Sequence, residues 1–140
     1  MAAVIPYGVD NPMRRLPLAN WALIVLTVAA YVLQRNSGQS TIIHDGFVFT
    51  VDKAVLDYGL TPAKLRIYQF VTYAFLHGGP IHLFGNMIFL WCFGNNVNDK
   101  LGHARYLAAY VLLAVFAGLG HVVAEIGSDV PCIGASGAVF

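Results

Sequence analysis

Charge is scarce in this 140-residue chain: charged side chains make up 11% of it against 58% apolar, and the formal net charge is +1. A mean hydropathy of +0.66 fits a chain dissolved in lipid better than one dissolved in water. So small a basic surplus cannot grip a phosphate backbone, and no nucleic-acid partner is expected. Two cysteines do not make a disulfide framework. Cys92 lies in an apolar run and Cys132 in a short loop beside Pro131, so both read as free thiols. There is no internal repeat, no low-complexity tract, no phosphate-binding loop and no dinucleotide fingerprint.

What the chain does have is apolar runs of spanning length. Leu16 to Leu33 carries no interior charge, has Trp21 and Tyr31 near its ends, and is just long enough to cross a hydrocarbon core. It starts too far in, without a small-residue cleavage site, to read as a signal peptide. Gly79 to Val97 is a second run, interrupted by His82, Asn86, Asn95 and Asn96. Tyr106 to Ala124 is a third, with His121 its one strongly polar residue, and a fourth would begin at Ser136. Arg14 and Arg15 before the first run, with Lys100 and Arg105 after the second, place those ends on the cytoplasmic side. Gln34 to about Gly78 then faces outward. Apolar stretches such as Phe47 to Val51 and Gln69 to Leu76 suggest that this loop folds on itself and lies partly in the interface.

Polar chemistry concentrates in the second run and at the last residues. A helix places His82 and Asn86 on one face a turn apart, with Gly85 leaving room for a neighbouring helix. Both side chains carry N–H donors, the equipment of an oxyanion hole, although on spacing alone interhelical hydrogen bonding is the simpler reading. Gly134-Ala135-Ser136-Gly137 presents a glycine-flanked serine at a helix start. A serine hydroxyl needs an adjacent base and oxyanion donors to act as a nucleophile, and none of the five histidines is convincing as that base. His121 reads as a packing residue, and Glu125 as a side chain that snorkels from the helix end into water. Ala138 stands where a soluble-hydrolase elbow needs glycine, and His77 and His82 are spaced wrongly to chelate zinc. Ala114, Ala117, Gly118 and Gly120 form a small-residue face suited to helix packing. Phe89, Trp91 and Phe93 read as lipid-facing or core residues.

Taken together, His77-Gly78-Gly79-Pro80-Ile81-His82-Leu83-Phe84-Gly85-Asn86-Met87, Leu90-Trp91, Phe93-Gly94, Leu101-Gly102-His103 and Gly134-Ala135-Ser136-Gly137 closely resemble the rhomboid family of intramembrane serine proteases. Ile5-Pro6-Tyr7-Gly8 and Asp10-Asn11-Pro12 look like the N-terminus of many bacterial members. The resemblance implies an all-α polytopic membrane protein, a rhomboid-like helical bundle with three transmembrane helices plus the start of a fourth. Residues 1–140 would form one such domain, incomplete at its C-terminus, with spans at about 16–33, 79–97, 106–124 and from 136. It implies Ser136 as nucleophile, His82 and Asn86 as oxyanion-stabilising side chains, and Gly134 and Gly137 as motif backbone, with no metal and no cofactor. The implied reaction is hydrolysis of peptide bonds in or near transmembrane segments of membrane-protein substrates within the lipid bilayer. The implied setting is a multi-pass protein of the bacterial inner membrane.

The family's dyad histidine belongs to a sixth helix, so it is expected beyond Phe140, and the 140 residues alone are expected to be inactive. Two positions depart from the family pattern. Tyr68-Gln69 stands where a Trp-Arg pair is common, which puts the outer-loop anchoring in question. Asn98 stands where an acidic residue is common, which removes an ion-pair partner at the cytoplasmic end. The alternatives are a non-catalytic rhomboid-like protein that binds transmembrane clients, and a helical membrane scaffold with no substrate.

Overall fold

The computed structural model describes residues 14–44 and 46–139; the stretches Ile5 to Gly8 and Asp10 to Pro12 lie outside the described residues. Helix α1 (Leu18–Arg35) leads into a hairpin of β1 (Gln39–His44) and β2 (Phe47–Asp52), then α2 (Lys53–Tyr58). A 3₁₀ turn (Pro62–Lys64), a short α3 (Gln69–Thr72) and a second 3₁₀ turn (Tyr73–Phe75) follow. The chain then runs through α4 (Pro80–Phe89), a π-helical segment (Leu90–Gly94), α5 (Asn95–Leu101), α6 (His103–Ala124) and α7 (Ser136–Val139). The fold is mostly helical. Among the described residues two helices, Leu18–Arg35 and His103–Ala124, are long and apolar enough to cross a membrane.

The long helices are built inside out relative to a water-soluble bundle. The buried residues of α1 include Asn20, Thr27 and Gln34, spaced two turns apart on one face, while Val25, Leu26, Val32 and Leu33 point outward. Helix α6 buries Tyr106, Tyr110, Ala114 and Gly118, one stripe of tyrosines and small residues, and exposes Leu112, Leu113, Phe116 and Val123. Polar groups that cannot find water in lipid turn inward to find partners, and apolar groups need not hide.

Helices α4 and α5 are one rod with a local defect. Backbone angles stay helical from Phe89 through Asn95, and the π segment between them loosens the hydrogen-bond ladder. Asn20 repairs it: its Nδ2 donates to the Leu90 carbonyl at 2.7 Å and to Asn95 Oδ1 at 2.9 Å, while the Tyr106 hydroxyl donates to Asn20 Oδ1 at 2.6 Å. The close approach requires Gly94, since a Cβ there would lie 2.5 Å from Asn20 Oδ1 and 2.7 Å from the Tyr106 hydroxyl. Asn98 extends the same network. Its Oδ1 accepts the Asn20 N–H at 3.3 Å and its Nδ2 sits 3.1 Å from His103 Nδ1. The departure at Asn98 therefore leaves a buried neutral link rather than a gap, and neighbouring Asp99 accepts the backbone N–H groups of Arg14 (3.0 Å) and Arg15 (2.7 Å).

The segment read from sequence as a self-folded outer loop contains an antiparallel hairpin in which Ile42 faces Phe49 and Ile43 faces Val48. Tyr68 and Gln69 do anchor this region. The Tyr68 hydroxyl donates to the Asp57 carbonyl (3.1 Å) and accepts from Arg66 (2.8 Å), and buried Gln69 accepts the Arg66 N–H through Oε1 (3.0 Å). Trp91 is half exposed and stacks on Trp21 with ring centroids 6.4 Å apart; Phe89 and Phe93 stack on each other. The small-residue face of α6 packs through Gly118, where a Cβ would meet Leu60 at 3.0 Å and Phe70 at 3.1 Å, whereas Gly120 faces open space.

Candidate active site

The loop between α6 and α7 is tied to the outer segment at several points. Leu60 and Cys132 exchange both backbone hydrogen bonds (3.1 and 2.9 Å), and the Ala63 N–H donates to the Ser128 carbonyl at 3.0 Å. Closer to the serine, the Gly134 N–H donates to the Tyr73 carbonyl at 2.9 Å. The Tyr73 hydroxyl reaches across to the Ala114 carbonyl of α6 at 2.8 Å. Burial pushes this phenol up to about 12, with Cys132 adding to the shift, so it remains a donor at ordinary pH. Gly137 lets α7 seat on α6: a Cβ there would lie 2.8 Å from Ala117 Cβ and 3.0 Å from the Tyr73 hydroxyl. Ala117 and Ala114 thus serve the packing role their small size implies.

Ser136 opens α7 and is partly exposed. Gly134, two residues earlier, has φ +127°, a backbone conformation that side chains other than glycine's avoid. A Cβ at Gly134 would lie 2.8 Å from His82 Cε1, 2.9 Å from His82 Nε2 and 3.4 Å from Ser136 Oγ. The edge of the His82 ring and the Ser136 hydroxyl therefore close on the same bare face of the backbone. His82 accepts the Gly78 N–H at Nδ1, a long bond of 3.4 Å, so the neutral ring carries its proton on Nε2, the nitrogen turned toward Gly134. One turn along α4, Asn86 is buried and donates one amide N–H to the His82 carbonyl at 3.1 Å. A carboxamide has two such hydrogens, which leaves the second for a ligand. At the start of α7 the Ser136 and Gly137 N–H groups precede any intrahelical acceptor. The structure thus brings Ser136, His82 and Gly134 together, sets Gly137 against Ala117 and Tyr73, and places Asn86 on the next turn of a helix in contact with α7.

Sequence reasoning missed the layer behind His82. His77 is fully buried, and its ring packs edge-on against His82 with centroids 5.0 Å apart and planes at 63°. Among the described residues neither of its ring nitrogens has a hydrogen-bond partner, although the nearby Phe75 backbone acts to raise its pKa. Burial, followed by the neighbouring His82, holds this imidazole down at about 4. From sequence, the spacing of five between His77 and His82 speaks only against a metal pair. Its actual consequence comes from the Gly78-Gly79 break, which folds the first ring back onto the second.

Among the described residues Ser136 Oγ makes no hydrogen bond, to histidine or otherwise. His103 is engaged with Asn98, and His121 Nε2 is buried without a partner. The Cys132 thiol, pushed up by burial, is no competing nucleophile. No three His, Cys, Asp or Glu side chains converge at metal-binding distance among the described residues.

Apolar helices with inward polar faces, arranged around a glycine-flanked serine, define a helical membrane protein with a serine-centred site. Residues 64–140 match the rhomboid domain, more than half of the chain. The chain is 28% identical over 103 residues to a protein of Yersinia pestis (strain Pestoides F) named rhomboid protease GlpG, covering 71% of this chain and 32% of that protein. The protein of the same name from Yersinia enterocolitica serotype O:8 is 28% identical over 123 residues, covering 85% of this chain and 38% of the relative. The chain belongs to the rhomboid family. It spans about a third of the length of the curated relatives it matches.

Proposed function

We propose that these residues form the nucleophile and oxyanion half of an intramembrane serine endopeptidase that hydrolyses peptide bonds in or near transmembrane segments of other membrane proteins. The observation that carries this reading is that His82 Nε2 and Ser136 Oγ both lie within 3.4 Å of the point a Gly134 Cβ would occupy. In this reading Pro80–Leu101 is a third membrane crossing between α1 and α6, α7 begins a fourth, and residues 1–140 belong to one domain of the bacterial inner membrane.

Ser136 Oγ attacks the scissile carbonyl carbon while a general base takes its proton. The carbonyl oxygen becomes an oxyanion that accepts hydrogen bonds from His82 Nε2–H, the free Asn86 N–H and the backbone N–H of Ser136. Collapse expels the amine, which receives the proton, and leaves an acyl group on Ser136. Water then adds to that ester and releases the acid. The base is a histidine supplied from outside these 140 residues, and for the 140 residues alone no appreciable turnover is expected. Gly134 and Gly137 take part as backbone, by admitting His82 and by seating α7 on α6.

The test is cleavage of a transmembrane substrate by the natural full-length product in liposomes, with labelling by a fluorophosphonate probe. Loss of both with Ser136→Ala supports the reading, and cleavage that survives Ser136→Ala overturns it. A Ser136 hydroxyl without a hydrogen bond among the described residues favours a second reading, a non-catalytic protein that holds transmembrane clients. Absence of labelling and cleavage in the wild-type product, with client capture retained, would establish that one.

A further inference from the structure

We infer that Gln34, backed by Asp52, is a positioning residue for the oxyanion side of the site: its carboxamide clamps the backbone of His77, and the His77 ring in turn sets the orientation of His82. This rests on the reading of His82 as an oxyanion donor.

Gln34 lies in the last turn of α1 and is 2% exposed. A carboxamide buried at the end of an apolar helix needs partners for its oxygen and its amino group, and here they come from elsewhere in the chain. Oε1 accepts the His77 N–H at 3.0 Å; Nε2 donates to the His77 carbonyl at 2.8 Å and to Asp52 Oδ2 at 2.9 Å. One side chain thus grips both polar groups of a single residue, as an adjacent strand would. Asp52 is itself held, with Arg35 Nη1 3.1 Å from each of its carboxylate oxygens, so its orientation toward Gln34 is fixed at the hairpin base.

Local hydrogen bonds hold the two glycines that follow, through Gly78 N–H to His82 Nδ1 (3.4 Å) and Leu83 N–H to the Gly79 carbonyl (3.0 Å), but the polar backbone groups of His77 itself rest on Gln34. His77 falls between the 3₁₀ turn ending at Phe75 and the start of α4 at Pro80, and is followed by two glycines. A Cβ on Gly79 would meet nothing within 4 Å, so packing does not immobilise that link. The His77 ring is buried yet anchored by neither of its nitrogens, so the backbone determines where it sits. Its edge contact with His82 then limits how the second ring can turn, and that ring presents Nε2 to Gly134. Arg35, Asp52, Gln34, His77 and His82 form a continuous mechanical support from the end of α1 to the serine.

The experiment uses the full-length protein in micelles, with Gln34→Met removing both halves of the clamp at similar volume and Gln34→Glu keeping an acceptor for the His77 N–H. Two readouts are taken: kcat and KM for a transmembrane substrate, and the ¹⁵N shifts of the His82 imidazole, which report its tautomer and environment. Misplacement of a catalytic group by about 1 Å costs on the order of 10²-fold, so Gln34→Met is expected to lower kcat by that factor with KM unchanged. Gln34→Glu, whose second oxygen would face the His77 carbonyl and the Asp52 carboxylate, is expected to lower kcat at least as far as Gln34→Met. The His82 shifts are expected to move in both variants. Wild-type His82 shifts and wild-type kcat in Gln34→Met would overturn the inference. Because the shifts need no turnover, moved shifts in a protein whose proteolysis survives Ser136→Ala would sustain the positioning role while sinking the protease reading.

Discussion

Replacing Gly134 by alanine tests the geometry of the site most directly. The new Cβ would sit 2.8 Å from His82 Cε1 and 2.9 Å from Nε2, whereas carbon contacts are comfortable only at about 3.5–4.0 Å. The ring must therefore retreat by roughly 0.7–1 Å, or the loop must shift and carry Ser136 with it. The backbone opposes the second route, because φ is +127° and the Gly134 N–H is already bonded to Tyr73. Holding alanine in such a conformation costs on the order of 1–3 kcal/mol. Displacing an oxyanion donor costs on the order of 10²–10³ in rate, equivalent to about 2.7–4 kcal/mol of transition-state stabilisation. The expected outcome is a full-length Gly134→Ala protein that still folds, melts several degrees lower, and loses kcat by that factor. Paired measurements of kcat and thermal midpoint in micelles would check it. Wild-type kcat in Gly134→Ala would show that His82 does not stand over the serine, and the reasoning would be wrong.

Two further outcomes follow from the buried polar groups. Asn20→Ala strands the Leu90 carbonyl, Asn95 Oδ1 and the Tyr106 hydroxyl together, so it should destabilise the protein by about 2–4 kcal/mol, more than the ~0.6 average for one interhelical bond. An unchanged unfolding midpoint, followed by circular dichroism in a denaturing-detergent titration, would contradict this. His77 is held at about 4 when folded, below the ordinary histidine value of 6.5. Between those pH values the unfolded chain binds the proton and the folded chain does not. Stability from this group is therefore full above about 6.5, falls as pH drops toward 4, and is flat below, a change on the order of 3 kcal/mol. His77→Gln should remove that part of the slope; an identical slope in the variant would exclude the assignment.

The apolar runs and the paired motifs were legible because both are local. Runs of spanning length name helices, and a histidine four residues before an asparagine names a shared face, whatever the rest of the chain does. The helix boundaries moved by only a few residues: Leu16 to Leu33 became Leu18–Arg35, and Tyr106 to Ala124 became His103–Ala124. The hairpin was legible but not read. Asp45-Gly46 between two apolar runs is a strong hairpin signal, and the segment that reads as a self-folded loop holds the strands on either side of it. The Gln34 clamp could not be read, because its partners are 18 and 43 positions away and a glutamine at a helix end looks like ordinary surface polarity. Gly118 and Gly120 show the same limit. Composition makes both packing candidates, but only the neighbours that three-dimensional proximity supplies decide that Gly118 is one.

The π segment at Leu90–Gly94 carries a consequence for how this helix can change over time. Relative to a regular helix, such a segment inserts one residue and so rotates everything after it by roughly 100°. Upstream, His82 turns its ring edge toward Gly134; downstream, Asn95 and Asn98 turn toward Asn20. The insertion acts as a coupling between two half-helices whose faces are set independently. Substitutions that retune the lower network need not disturb the phase of the upper one; deleting a single residue there would restore a regular helix with both faces still in phase, whereas regularising the helix without that deletion would turn every downstream polar side chain away from its partner at once.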